Sequence, residues 1–381
     1  MSFIDDMARA AYGRLEAQAD INLMETVAKT KLLSFNADVK EQLEEDLRKN
    51  PLMFNGKPMK RAAKYTYLGT TLTENSVSDS VCESIKQKIG KVKHMIFEIK
   101  SVIEDCRNNV NGAFLTGLKI WEGAVVPYLF HASECWMEIP KESLTVLNNL
   151  QETLLRALLS TPTSTPKVAM YWEVGMYLAE NRIIESKLLF YFHLANLSQD
   201  SLASLILTEQ RKKKIPSLTQ EVVRYLAMIN MKETDLKTFT KGEFKRRVRL
   251  QMKEKNRQDL LSWMKTYKKV DYFAHKDEKF GMKTNFETMN LHQCRMMFSL
   301  KAESVRTVKT HQMSDRNFEE DDWSCKCGKL DSLSHIIRCP EYSHLRESKD
   351  LLTNEEHLVK YFQDVIKSRD EAESAETRPS L

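Results

Sequence analysis

Seven aliphatic residues between Val81 and Ile103 constrain this chain most. Val81, Ile85, Ile89, Val92, Ile96, Ile99 and Ile103 follow one another at spacings of 4, 4, 3, 4, 3 and 4. Only an α-helix puts such a series on one face, so the stretch predicts a helix of about 25 residues with a single apolar stripe. Ser80 and Glu83 fit a capping box at its start. The chain as a whole is built for such elements. It has 11 Gly and 9 Pro in 381 residues, about half the usual frequency of each. That excludes collagen-like and Pro/Gly-rich disordered chains and argues against a β-sandwich. With 42% hydrophobic residues, the chain can bury a sizeable core.

Further helices are expected at Asn109–Glu122, Lys141–Ser160, Asn181–Leu197 and Glu221–Ile229, with a break at Thr161–Pro166. Before residue 76 the pattern is mixed. Asn55-Gly56 between Leu52-Met53-Phe54 and Lys57-Pro58-Met59-Lys60 predicts a hairpin. Pro58 limits the second strand to a sheet edge. Lys64 to Leu72 is β-branched and aromatic and reads as a strand. The expected fold is therefore mainly α, with a small α+β piece leading into a helical bundle.

Net charge is only +5, but it is unevenly placed. From Lys237 to Lys269 there are 12 Lys/Arg against Glu243, Glu254 and Asp259, a net of +9. Lys245, Arg246, Arg247, Arg249, Lys253, Lys255 and Arg257 are candidates to neutralise phosphates of RNA or DNA. Phe239, Phe244, Trp263, Tyr267 and Tyr272 offer stacking faces if they are exposed, and core side chains if they are not. Trp121, Trp136 and Trp172 fall among apolar helix positions and are expected in the core, as are Cys82, Cys106 and Cys135. No run approaches 18 apolar residues, and MSFIDDMARA lacks the basic and apolar regions of a signal peptide. An intracellular chain, cytoplasmic and/or nuclear and without a membrane partner, is expected.

Cys325, Cys327, His335 and Cys339 form C-x-C-x7-H-x3-C within 15 residues. Three thiolates and an imidazole are the donor set of a closed structural zinc site. His344 is an alternative imidazole. Phe3-Ile4-Asp5-Asp6 carries two adjacent carboxylates. Two-metal phosphoryl transfer uses such groups to hold cations, with a third carboxylate from elsewhere.

Several stretches together resemble the reverse transcriptases of non-long-terminal-repeat (LINE-like) retrotransposons. Phe3-Ile4-Asp5-Asp6 looks like their F/Y-x-D-D hairpin in the palm, and Leu33 to Asp38 like the following L-x-x-N-x-x-K-T segment, with Lys40 four residues after Asn36 where the family has its lysine three after. Lys64-Tyr65-Thr66-Tyr67-Leu68-Gly69 is similar to the K-Y-L-G strand that leads from palm to thumb and grips the primer end. Val126-Pro127-Tyr128-Leu129 with Ser133-Glu134-Cys135-Trp136 resembles the thumb-side P-x-L-x-Y-G-S-E-x-W. Leu150 to Arg156, Ser164-Thr165-Pro166 and Glu173-Val174-Gly175 follow in the family's order. Cys325-x-Cys327-Gly328, His335, Cys339-Pro340, Tyr342 and Arg346 look like its C-terminal zinc knuckle.

The resemblance implies five segments. They are a C-terminal palm remnant (1–75), a helical thumb-like bundle (76–200), a basic helical connector (201–310), a CCHC zinc knuckle (311–349) and a polar tail (350–381). It also implies an RNA-directed DNA polymerase in which Asp5 and Asp6 bind Mg²⁺ beside an upstream aspartate. Only Met1 and Ser2 precede Phe3, and His131-Ala132 stand where the family has Y-G. The expected chain therefore holds a structural zinc, contacts nucleic acid and is catalytically incomplete by itself. The alternatives are a domesticated RNA-binding or scaffold protein, or a non-functional relic.

Overall fold

The computed structural model describes residues 49, 53–54, 57–58, 63–67, 69–73, 76–105, 110–163, 165–212, 217–266, 285–302, 325–329, 333–346 and 355–376. Helix makes up 76% of it, so the fold is mainly α. It divides into two compact units, each gathered from separate stretches of chain. One takes the described residues up to Met95, Glu122–Leu150 and Leu178–Lys255; the other takes Ile96–Trp121, Gln151–Tyr177 and the described residues from Asn256 onward.

The first unit opens with two small antiparallel hairpins. β1 (Met53–Phe54) pairs with β2 (Lys57–Pro58) across Asn55-Gly56, as the sequence predicts. The run from Lys64 to Leu72 is not one strand. It folds into β3 (Lys64–Tyr67) and β4 (Thr70–Thr73). The reversal passes through Gly69 at φ 79°, a left-handed conformation that glycine takes without steric penalty.

Helix α1 (Val77–Asp105) follows and supplies its residues up to Met95 to this unit and those from Ile96 to the other. Val81, Ile85, Val92, Ile96, Ile99 and Ile103 are all buried, so the stripe is the core face. Its cap lies one turn earlier than the sequence suggests. Ser76 Oγ accepts the Asp79 N–H at 3.0 Å, whereas Ser80 lies inside the helix. Ser80 and Ser84 serve the hairpin instead. Their hydroxyls accept the N–H groups of Thr73 and Thr71, each at 2.9 Å, and Thr71 Oγ1 donates to Gln87 Oε1 at 2.7 Å. Helix side chains thus satisfy strand-edge groups that would otherwise template another chain.

Beyond α1 in this unit, α3 (Val126–Leu129) leads to a 3₁₀ turn at Ser133–Cys135. Lys88, buried on α1, donates to the carbonyls of His131 at 3.1 Å and Leu129 at 3.4 Å, and its ammonium lies 5.4 Å from the Trp136 ring centroid. Burial pulls the Lys88 pKa down to about 8 from 10.5, with the Glu134 charge opposing. Between those two pH values the unfolded chain holds a proton that the folded chain has released, so stability from this group rises with pH. Wild type is therefore expected to gain thermal stability relative to Lys88→Met between about pH 8 and 10.5; parallel melting curves for the two proteins across that window would refute the shift.

Helices α6 (Ala179–Ala195), α7 (Leu202–Lys212) and α8 (Leu218–Met228) also belong to this unit. Lys187, with a side chain only 1% exposed, pairs with Glu221. Tyr191 donates to Glu233 Oε1 at 2.5 Å, and Arg211 also reaches that oxygen.

The second unit contains α2 (Ala113–Ile120) and α5 (Lys167–Val174). It also contains α11 (Leu291–Lys301) and α13 (Glu355–Glu376), with a single short turn, α10 (Asn285–Thr288), before α11. Phe114 and Phe286 stack at 4.6 Å between centroids. The expected helix at Lys141–Ser160 is α4 (Lys141–Leu159), which supplies residues to both units. Arg156 fastens its end to the following loop, donating to Glu152 at 2.8 Å and to the carbonyls of Pro162 and Thr165.

Trp121, Trp136 and Trp172 are buried as expected. The cysteine expectation holds less well: Cys135 is exposed and Cys82 half-buried, while Cys106 lies outside the described residues. Within the stretch expected as a polar tail, Glu355–Glu376 form the helix α13. Its acidic character conceals four buried residues, Val359, Tyr361, Phe362 and Val365.

Candidate metal centre and basic helix

Cys325 to Lys329 form a tight closed turn. The Cys325 N–H donates to the Lys329 carbonyl and the Gly328 N–H to the Cys325 carbonyl, both at 2.7 Å. Gly328 sits at φ 81°, which reverses the chain straight after the second cysteine. His335 lies on α12 (Leu333–Arg338), and Cys339 follows at its end. The i, i+4 spacing brings both toward the turn.

The four side chains converge, with one ligand atom from each lying within 4.8 Å of all the others. Cys325 and Cys339 Sγ are 3.6 Å apart, and Cys327 and Cys339 Sγ 3.7 Å. A tetrahedral zinc with Zn–S bonds of about 2.3 Å sets its sulfurs about 3.8 Å apart. A disulfide would need an S–S distance of about 2.05 Å, so the spacing is that of ligands and not of a bridge. Cys327 Sγ and His335 Nε2 stand at 3.1 Å, a hydrogen-bond distance that a shared cation would widen. The residues fit a closed Cys₃His zinc site with no open coordination position. His344 is exposed and is not one of the four.

The thiols sit in unequal surroundings. Burial and the neighbouring thiols of Cys325 and Cys327 push Cys339 up to about 11, against the Glu341 N–H. Burial also raises Cys327, but the Lys329 N–H and the neighbouring thiols outweigh it and leave the group lowered. A bound cation would deprotonate all three.

The surrounding residues are tied to the backbone of the loop. Arg346 Nη2 donates to the Cys339 carbonyl. Tyr361 OH donates to the Ile336 carbonyl at 2.8 Å, and Arg369 Nε donates to Tyr342 OH at 2.8 Å while its guanidinium lies over that ring at 5.2 Å. Tyr361 and Arg369, both on α13, escape a sequence reading because no metal-binding pattern includes them. An aromatic residue in a stretch otherwise rich in charge was the available signal.

Lys241–Met264 of the basic window form α9, capped by Thr240 and Glu243. The Glu243 carboxylate accepts from Thr240 N at 2.9 Å and from Oγ1 at 2.7 Å, and these bonds hold it below the usual carboxylate range. Lys245, Arg246, Arg247, Arg249 and Lys253 are exposed; Lys255 and Arg257 are half-buried. Phe244 is no stacking platform. It is buried and stacked on Phe192 at 4.3 Å. Phe239 is half-buried, with the Arg247 guanidinium 5.5 Å from its centroid. Trp263 tilts against Tyr171 at 6.1 Å. Tyr267, Tyr272, Asp5 and Asp6 lie outside the described residues.

No protein-family model, curated protein or solved structure gives a significant match to this chain. Among the described residues, no helix is long and apolar enough to cross a membrane.

Proposed function

We propose that this chain is the C-terminal part, from the end of the palm to the zinc knuckle, of a non-long-terminal-repeat retrotransposon reverse transcriptase, and that it holds one zinc and binds nucleic acid. The observation that carries the reading is the convergence of Cys325, Cys327, His335 and Cys339, with both trailing motif residues turned to the support of that loop. Arg346 binds the Cys339 carbonyl, and buried Tyr342 is held by Arg369. Cys339, Tyr342 and Arg346 of the C-P-x-Y-x-x-x-R string thereby each have a physical role, which four unrelated Cys and His residues would not give.

Zinc would act by structure alone, fixing the loop so that exposed Lys326, Lys329 and Arg338 present one basic surface. The exposed cations of α9 supply a second, where each phosphate contact releases counterions. Asp5 and Asp6 would hold Mg²⁺ only beside a third carboxylate.

The test is anisotropy of a labelled single-stranded RNA titrated with the zinc-loaded full chain. Binding at about 50 mM salt that weakens steeply toward 200 mM is expected. Absent binding, or binding indifferent to salt, contradicts the nucleic-acid role.

A further inference from the structure

We infer that α9 carries a four-rung ladder of cations, Lys241, Lys245, Arg249 and Lys253, that takes consecutive phosphates of one unpaired RNA strand. The inference rests on the nucleic-acid reading above and adds which side chains meet the strand and in what register.

All four rungs are exposed. Their spacing of four residues sets neighbours about 6 Å apart along the axis and turns each about 40° from the last. The ladder is therefore a row that climbs about 18 Å while winding about 120° around the helix. Adjacent phosphates of a single strand can follow such a row one by one.

The neighbours of the rungs make the row unusual. Solvated helix faces commonly alternate Glu and Lys at i, i+4, which stabilises them. Here the helical positions three and four residues from each rung hold Gly242, Phe244, Arg246, Val248, Leu250, Met252, Asn256, Arg257 and the other rungs, with no carboxylate. Three successive like-charge i, i+4 pairs repel, and Lys241 in the first turn also opposes the helix dipole. Glu243 is held in its cap by Thr240. Glu185 reaches Arg249 at 3.3 Å, yet the arginine side chain stays 59% exposed. The helix thus keeps a row with no i, i+3 or i, i+4 carboxylate, in which Arg249 is paired to Glu185, and a polyanion would relieve the remaining repulsion. Arg246 adds a fifth cation beside it. The phosphates of an unpaired strand can adjust to the spacing of the rungs, whereas those of duplex RNA are fixed by the A-form helix, which favours an unpaired strand.

The experiment measures affinity of the zinc-loaded full chain for a labelled 12-nucleotide oligouridylate between 50 and 200 mM NaCl. Each neutralised phosphate contributes a slope of about −0.7 for a single strand, so four rungs account for about −2.8, or roughly fifty-fold over this range. Lys241→Gln/Lys245→Gln/Arg249→Gln/Lys253→Gln is expected to flatten the slope by that amount. A charge-matched control, Lys93→Gln/Lys100→Gln/Lys119→Gln/Lys141→Gln, removes exposed lysines elsewhere and is expected to leave it nearly unchanged. The ladder variant is also expected to melt close to wild type, because the repulsion removed offsets the loss of the exposed Arg249–Glu185 pair. If it does not fold, Lys245→Gln/Lys253→Gln carries the test with a slope change of about 1.4.

Equal losses in ladder and control variants would reduce the effect to net charge and overturn the ladder. A ladder variant that keeps the wild-type slope would overturn it too, leaving nucleic-acid binding itself intact. Equal competition by duplex RNA would overturn the choice of an unpaired strand. Wild type that binds no RNA would instead remove the reading on which the ladder rests.

Discussion

Removing zinc with a strong chelator is expected to unfold the segment from Cys325 to Arg346. Little else orders the ligand turn. Of its five residues only Cys325 is buried, and its backbone closes on itself through two hydrogen bonds. The metal would supply the remainder: apparent binding energies for structural zinc sites are about 10–16 kcal/mol near neutral pH, and that energy is folding energy. The effect should spread to α13, because Tyr361 and Arg369 bond to this segment. Hydrogen exchange followed by mass spectrometry reads both regions. Amides of residues 325–346 should lose protection on chelation and regain it with added zinc, while those of α1 stay protected. Unchanged exchange after complete metal removal would show that the loop orders itself without a cation.

The second large effect lies in the same unit but away from the metal. Lys301 and Glu173 form an ion pair at 2.9 Å, with side chains 4% and 0% exposed. Lys301→Met would leave the Glu173 carboxylate buried beside an apolar chain. Breaking one side of such a pair costs roughly 3–5 kcal/mol, since the remaining charge must stay desolvated or take up a proton. Replacing both partners, as in Lys301→Met/Glu173→Met, should recover much of that loss, because well-packed apolar residues often match a buried pair. Denaturant unfolding of the two variants measures the difference. A single substitution that costs under about 1 kcal/mol would mean that water or another group already serves the carboxylate.

What could be read from the sequence follows from which interactions are local. The stripe on α1 is a property of spacing alone, and six of its seven residues are buried. The metal ligands were legible for the same reason, since all four fall within one short segment. The cap of α1 was not. Ser76-x-x-Asp79 and Ser80-x-x-Glu83 offer the same signal one turn apart. The choice is made by Thr73, whose N–H takes up Ser80 from across the hairpin. Lys64 to Leu72 read as one strand because β-branched residues suit either one strand or two, and only the backbone at Gly69 distinguishes them. The two units draw on alternating stretches of chain, which a scan in sequence order does not reveal.

The basic helix shows the same limit within one element. Its buried positions Phe244, Val248, Met252, Asn256, Leu260 and Met264 recur every four residues. A strict spacing of four turns the buried face by about 200° over that length, so no single stripe stands out in the sequence. Lys241 continues the register of Lys245, Arg249 and Lys253, a relation that depends on the whole run being helical.

The account stands on one centre formed by four side chains. X-ray absorption of the purified, unchelated chain reads its donor set directly. The expected spectrum is that of about one zinc per chain with three sulfurs near 2.3 Å and one nitrogen near 2.0 Å. A chain that carries no zinc, or a zinc bound mainly through oxygen or without all three sulfurs, would contradict it.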